Sequence, residues 1–211
     1  PISILGHTII PKPHIKFLGF TIQKDLKWSI HLEALCNKVR SAAGRIRMEG
    51  RNFSVQDKRL LFNGWIQSQI YYNARIVLPS LNKSDLSTLQ TACNSGIRAV
   101  WGLPKYGYAD ITNIRAQLKI PSVETIMEQK LLEAAWKAFS SSTQDKDFHQ
   151  GPLTRSKKLL QLRHPIQHGH LGKTSTSIIT NAWNRMPYNI KTESVFKVAK
   201  SKIKEHCLSH I

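Results

Sequence analysis

A cluster of basic side chains on one predicted helix is the strongest candidate functional feature of the sequence. This first-helix basic cluster consists of Lys38, Arg40, Arg45, Arg47 and Arg51. Two pairs within it, Lys38 with Arg45 and Arg40 with Arg47, are each separated by seven residues. That spacing puts the members of a pair on nearly one stripe, about 10 Å apart along a helix axis, where they can contact successive phosphates of a duplex. The alternative is a basic helix face that is simply solvated.

A second basic set lies near the C-terminus and consists of Lys197, Lys200, Lys202 and Lys204. Both sets belong to an excess of 31 Lys and Arg over 13 Asp and Glu, which gives a formal net charge of +18. Residues 1–103 and residues 149–211 each carry +9, whereas residues 104–148 are neutral. This distribution favours a polyanionic partner, nucleic acid, that touches the two flanking blocks. For the C-terminal lysines the alternative is the solvated face of an amphipathic helix.

The acidic residues offer no recognisable catalytic arrangement. The stretch Tyr108-Ala109-Asp110-Ile111 invites comparison with the Tyr-Ala-Asp-Asp turn of two-metal polymerases. Its fourth residue is Ile, however, and two-metal chemistry needs more than one carboxylate. Asp110 is better explained as the N-cap of a helix. The sequence therefore predicts no enzymatic activity for this chain on its own.

Histidine and cysteine likewise predict no metal site and no cofactor. The histidine-rich tract contains His164, His168 and His170. No Cys or carboxylate lies near it and Pro165 interrupts a helix there, so a solvated loop is favoured over a zinc site. The three cysteines, Cys36, Cys93 and Cys207, are too scattered for a disulfide framework. They favour a reducing, intracellular setting, cytoplasmic or nuclear.

The elements that must position these residues are mostly helices. Two β-prone runs, Ile2 to Ile10 and Ile15 to Ile22, flank Pro11-Lys12-Pro13-His14 and predict one β-hairpin. Helices are predicted from Ser29 as N-cap to Gly50, from Ser54 to Pro79, from Ser84 to Gly102, from Asp110 to Leu118, from Pro121 to Phe139, around Ser177 to Arg185 and from Thr192 to Leu208. The expected fold class is mainly α with an N-terminal β-hairpin, and no apolar run is long enough to span a membrane.

The order of several short motifs resembles non-LTR retrotransposon reverse transcriptases. These motifs are Ile15-Lys16-Phe17-Leu18-Gly19-Phe20-Thr21-Ile22, Leu26-Lys27-Trp28 with His31, Ala99-Val100-Trp101-Gly102-Leu103-Pro104, and Ala182-Trp183-Asn184-Arg185-Met186-Pro187 with Ile190 and Phe196-Lys197. In that family the Leu-Gly hairpin is the primer grip, and a helical thumb follows it. The resemblance implies that Phe17, Leu18, Gly19 and Phe20 form a primer-grip-like tip and that the helix carrying Lys38 to Arg51 is the first thumb helix.

The same resemblance implies a division of the chain and a partner. Residues 1–28 would be the primer-grip hairpin, 29–139 a helical thumb-like bundle, 140–152 a linker and 153–211 a basic C-terminal helical region. The catalytic carboxylates and their Mg²⁺ would belong to a palm upstream of Pro1, so that the chain is a catalytically inactive fragment. Its partners would be RNA or an RNA/DNA duplex and the palm and fingers of the parent polymerase. The rival interpretation is a stand-alone or domesticated helical module that binds a protein.

Overall fold

The computed structural model describes residues 2–4, 7–9, 12–140 and 175–209. Its strands are β1 (Ile2–Ile4), β2 (His7–Ile9), β3 (His14–Phe17) and β4 (Phe20–Gln23). Its helices are α1 (Ser29–Glu49), α2 (Val55–Phe62), α3 (Ser68–Asn73), α4 (Lys83–Trp101), α5 (Ile111–Gln117), α6 (Val123–Ser140), α7 (Ser175–Arg185), α8 (Tyr188–Lys191) and α9 (Phe196–Leu208). The predicted class, mainly α with an N-terminal β-hairpin, is confirmed. The predicted linker beyond Ser140 and the histidine-rich tract lie outside the described residues.

The pairing of the strands differs from the prediction. Each β-prone run folds back on itself, so that β1 pairs with β2 and β3 pairs with β4, both antiparallel. The second hairpin closes through Leu18 and Gly19, whose φ angles of 46° and 82° suit a two-residue turn that matches strand twist. The prediction of a single hairpin across residues 11–14 is wrong, because a two-residue closure loses less chain entropy than a longer proline-containing connection.

The start of α1 is capped by the hairpin rather than by Ser29. Gln23, the last residue of β4, accepts hydrogen bonds at Oε1 from the backbone N–H of Ile30 and from the Ser29 hydroxyl, at 2.9 and 3.0 Å. Ser29 is the first helical residue and Trp28 occupies the N-cap position without a side-chain bond. Ser54, in contrast, caps α2 in the capping box predicted with Asp57. The hairpin therefore has a fixed position against α1.

The first core lies between α1, the α2–α3 segment and α4. A π-helical turn, Asn63–Gln67, joins α2 to α3 without a break in the chain direction. Contacts of Arg45 with Trp65 and of His31 with Asn73 make α1 antiparallel to this segment. Gly96 of α4 lies against Phe62 and Ile66, where an added Cβ would come within 2.5 Å of the Ile66 side chain. Helix α4 therefore packs closely on the same segment.

Among the described residues, a second and smaller core joins the end of α6 to α7, α8 and α9. Its buried residues include Leu132, Trp136, Trp183 and Ile203. The indole N–H of Trp136 donates to the carbonyl of Ile190 at 3.2 Å. Helix α6 thus contributes its first half to the first core and its second half to this one.

The C-terminal helix is shorter than predicted. Residue Thr192 is the C-cap of α8, and α9 begins only at Phe196 after an extended Val195. The predicted third helix, in contrast, starts one residue before Ser84, at Lys83. Asn82 caps it, because its side-chain oxygen accepts from the backbone N–H of Asp85.

Candidate nucleic-acid interface

An open groove runs along α1 beside the π-helical turn and α3. Its volume is about 480 Å³, and it is lined by Ala34, Asn37, Lys38, Ser41, Ala42, Arg45, Trp65 and Gln69. The lining contains two cationic side chains and no carboxylate. Amide and hydroxyl groups supply further hydrogen-bond donors. This basic-aromatic groove can therefore accept an anionic, extended ligand such as a phosphate backbone.

Arg45 is held in the groove by an aromatic ring. Its guanidinium carbon lies 4.7 Å from the centroid of the Trp65 ring, which is the geometry of a cation–π contact. A guanidinium fixed in this way loses less side-chain freedom when it binds a phosphate, so the groove is partly preorganised. Trp65 is itself half-buried and packs on the first core, which fixes the ring.

The structure separates the two pairs of the first-helix basic cluster. Because an α-helix turns about 100° per residue, Lys38 and Arg45 lie about 160° around α1 from Arg40 and Arg47. The buried face of α1 lies between them. The four residues therefore cannot line one continuous track, and only the first pair faces the basic-aromatic groove.

The remaining cluster residues lie on the opposite flank or beyond the helix. Arg40 is exposed and donates to the Asn37 side-chain oxygen at 3.3 Å. Arg47 is half-buried, and its Nη2 is enclosed without a hydrogen-bond partner. Arg51 is exposed just beyond α1.

The primer-grip-like tip is divided between a docked half and an exposed half. Phe20 is buried and stacks on Tyr72 of α3, with ring centroids 5.0 Å apart and planes 11° apart. The Tyr72 hydroxyl donates to the carbonyl of Leu18, so the turn is tied to α3. Phe17 and Leu18 nevertheless remain 60% and 71% exposed. The tip thus presents apolar side chains from a firmly held loop.

A buried histidine connects the second hairpin to α3 through hydrogen bonds. The His31 Nδ1 accepts from the backbone N–H of Thr21 at 3.2 Å, and its Nε2 lies 2.7 Å from the Asn73 side-chain oxygen. Since Nδ1 accepts, the proton is on Nε2, which donates to Asn73. Residues from β4, α1 and α3 are therefore joined in one network.

The C-terminal lysines occupy a different setting. Lys197, Lys200 and Lys204 are exposed on α9 and share a face about 60° wide. Lys202 is apart from them, and its Nζ lies 2.7 Å from Glu193 Oε2. This ion pair, chiefly through the lysine hydrogen bond, lowers the pKa of Glu193. The set thus provides three solvated cations and one that is already neutralised.

The described residues provide no evident centre for metal or thiol chemistry. They contain no group of three or more His, Cys, Asp or Glu placed to hold a metal ion. All three cysteines are free and buried. Burial raises the pKa of Cys93 to about 12 and that of Cys207 to about 11, so both are neutral thiols near neutral pH. Within the same residues no helix has the length and apolar character needed to cross a membrane.

Sequence reasoning missed Trp65 and Gln69 as groove residues. The apolar periodicity places Trp65 only on the packed face of its helix, because it does not reveal the π-helical turn that presents the ring beside Arg45. Comparison of the chain with protein-family models, with curated proteins and with solved structures finds no match.

Proposed function

We propose that the chain is the thumb-type part of an RNA-directed DNA polymerase of the non-LTR retrotransposon kind, and that it binds an RNA or RNA/DNA duplex through the phosphate backbone. The observation that carries the proposal is the basic-aromatic groove, in which Lys38 and a stacked Arg45 face an opening without a carboxylate. Phosphate contacts position a duplex but read no bases, so the binding is expected to tolerate any sequence.

The hairpin supports the same proposal. Phe17 and Leu18 project from a tip that is fixed by Tyr72, and the sequence resemblance implies a primer grip at these residues. In the intact polymerase this apolar tip would adjoin the palm and the primer strand. The palm would also supply the Mg²⁺-binding carboxylates, so the chain by itself is expected to extend no primer with any divalent metal.

The decisive experiment compares the two flanks of α1. The variant Lys38→Gln/Arg45→Gln removes both groove cations, whereas Arg40→Gln/Arg47→Gln removes the same charge, at the same spacing, from the other flank. Because the groove variant can no longer neutralise two phosphates, duplex affinity is expected to fall about 30-fold at about 0.15 M salt, and the slope of log K against log salt to fall by about 1.8. The far-flank variant should change affinity by less than about threefold. Affinity and slope both unchanged in the groove variant would rule out the proposed binding mode.

A specific observation also favours the rival, protein-binding function. Ile15, Phe17, Leu18 and Leu26 are all exposed on or beside the second hairpin, and such a patch is typical of a protein contact. Ionic strength separates the two functions, because an apolar contact persists at high salt whereas phosphate contacts do not. A binding partner retained undiminished at about 1 M salt would favour the rival.

A further inference from the structure

Three exposed aromatic side chains lie at the end of α4 and in the segment that joins it to α5. Tyr106 is 77% exposed, Tyr108 is 102% exposed and Trp101, at the end of α4, is 38% exposed. Tyr106 and Tyr108 bury little apolar area in the folded chain, so folding alone does not account for them. We refer to residues 101–108 as the aromatic loop.

The aromatic loop is held in shape by Arg98. The guanidinium donates to the carbonyl of Gly107 at 2.6 Å and to that of Pro104 at 3.3 Å. Gly107 has a φ of 118°, a conformation that disfavours any residue with a side chain. At the loop's start Leu103 N–H donates to the Arg98 carbonyl at 2.8 Å, which closes α4 with Gly102 in the left-handed conformation. The tyrosines are therefore presented by an ordered backbone.

A cation accompanies the rings. The Lys105 ammonium lies 5.1 Å from the centroid of the Tyr106 ring. An aromatic face next to an ammonium group suits a nucleotide, since the base can stack on a ring while the adjoining phosphate meets the positive charge.

We infer that the aromatic loop is a stacking platform for unpaired bases, in which Tyr106 and Tyr108 hold a single-stranded stretch of nucleic acid. The inference rests on the proposed function for its partner class and adds a second site, distinct from the basic-aromatic groove. Stacking needs no hydrogen-bond readout, so the platform takes any base.

The test uses the full chain and two probes of about 12 nucleotides, a labelled single strand and the same strand with abasic sites. The unsubstituted chain should prefer the base-bearing strand, and Tyr106→Ala/Tyr108→Ala should lose at least about fivefold in affinity for it while its affinity for the abasic strand is unchanged. Tyr106→Phe/Tyr108→Phe should behave as the parent. Since these side chains are exposed, thermal melting is expected to be the same for all variants.

Tyr106→Leu/Tyr108→Leu separates stacking from apolar contact. The leucines keep an apolar surface but lack a planar ring, so this variant should bind like the alanine variant. Parent-like binding by the leucine variant, or no preference of the parent chain for bases over abasic sites, would overturn the inference.

Duplex binding distinguishes failure of the inference from failure of the proposed function. If the tyrosine variants bind single strands normally while Lys38→Gln/Arg45→Gln still weakens duplex binding, only the stacking platform is wrong. If the parent chain binds neither probe nor a duplex, the proposed function fails and the platform fails with it.

Discussion

The basic residues of α1 and α9 are alike in charge but differ in surroundings. In the basic-aromatic groove, Arg45 stacks on Trp65 and shares an opening with Lys38, and the described residues that line this opening include no carboxylate. On α9 the exposed lysines stand on a solvated face, and Lys202 is paired with Glu193. A cation that is held beside a second cation in a concave site loses less entropy on binding a phosphate than a mobile surface lysine does. We therefore expect the basic residues of the two helices to contribute unequally to duplex binding.

In the part of the chain that the structure describes, the two helices also belong to cores of different size. Helix α1 packs in the larger first core, which contains Cys93, and α9 packs in the smaller second core, which contains Cys207. Because a smaller core buries less apolar surface, α9 is expected to open before α1 does. Chemical labelling of Cys93 therefore measures opening of the first core, and labelling of Cys207 measures opening of the second.

The largest expected effect is the protection of the thiols from alkylation. Burial raises the pKa of Cys93 from 9.0 to about 12 and that of Cys207 from 9.0 to about 11. At about pH 8 the thiolate of Cys93 is therefore suppressed about 1000-fold and that of Cys207 about 100-fold relative to the unfolded chain. Mass spectrometry after timed labelling should show Cys207 modified first. Equal labelling of both sites would contradict the expected order of opening.

The raised thiol pKa values also set a direction for stability with pH. In the folded chain these thiols keep protons that the unfolded chain begins to lose near the ordinary value of 9.0. Their contribution to the free energy of unfolding is therefore complete below about pH 9 and declines as the pH rises toward the folded-state pKa values. Urea denaturation at a series of alkaline pH values, with Cys93→Ala as the control, measures this decline.

A carboxylate introduced into each basic region compares the regions directly. Ser41 lies three residues after Lys38 and four before Arg45, so Ser41→Glu should pair with both. The added carboxylate cancels one unit of positive charge, so duplex affinity is expected to fall about fivefold at about 0.15 M salt. Fluorescence anisotropy with a labelled duplex measures this change.

The control lies on α9, where Ser201 has the reverse spacing, four residues after Lys197 and three before Lys204. Ser201→Glu should lower duplex affinity by less than about threefold, because solvated surface charges contribute little individually. Comparable losses from the two substitutions would show that net charge alone governs binding and would remove the distinction between the regions.

Local signals in the sequence predict the helices well. Capping by Ser54 and Asp110, the stop at Gly102 and the apolar period of α1 all have short-range causes, and each appears in the structure. The same signals assign the cap of α1 incorrectly to Ser29, because the actual capping group, Gln23, comes from the hairpin. Contacts between elements are not encoded in local propensity.

The candidate site is predictable only in part. Seven-residue spacing identifies Lys38 and Arg45 as partners on one stripe and Arg40 and Arg47 as partners on a second, about 160° away, but it does not show which stripe faces the groove. Trp65 can be assigned to the groove only once the π-helical turn is known. The charge split likewise excludes residues 104–148 from nucleic-acid contact, whereas the structure exposes Tyr106 and Tyr108 in this block, with Lys105 beside the Tyr106 ring.

The Trp65 ring keeps Arg45 in the groove. Trp65→Leu keeps apolar packing against the first core but removes the cation–π contact, so Arg45 becomes more mobile. Duplex affinity is expected to fall about two- to fivefold. The slope of log K against log salt should be unchanged, since both groove cations remain. A reduced slope would show that Trp65 is needed to keep Arg45 in contact with phosphate at all, and Trp65→Phe, which keeps a ring, should restore parent-like affinity.

The smallest expected effect is the release of the neutralised lysine on α9. Glu193→Gln removes the carboxylate that lies 2.7 Å from Lys202, so α9 gains one available cation. Duplex affinity should rise by less than about twofold, because an isolated exposed cation contributes little. Acidification of the parent chain should act in the same direction. Because the pKa of Glu193 is lowered, the ion pair is complete above the ordinary carboxyl pKa and is lost as the pH falls through the lower pKa of the folded chain. NMR titration of the Glu193 carboxyl in Lys202→Gln should show that pKa moving up toward its ordinary value. If Glu193→Gln instead raised duplex affinity about tenfold, the α9 lysines would be a principal phosphate site, limited in the parent chain by this one carboxylate rather than by solvation.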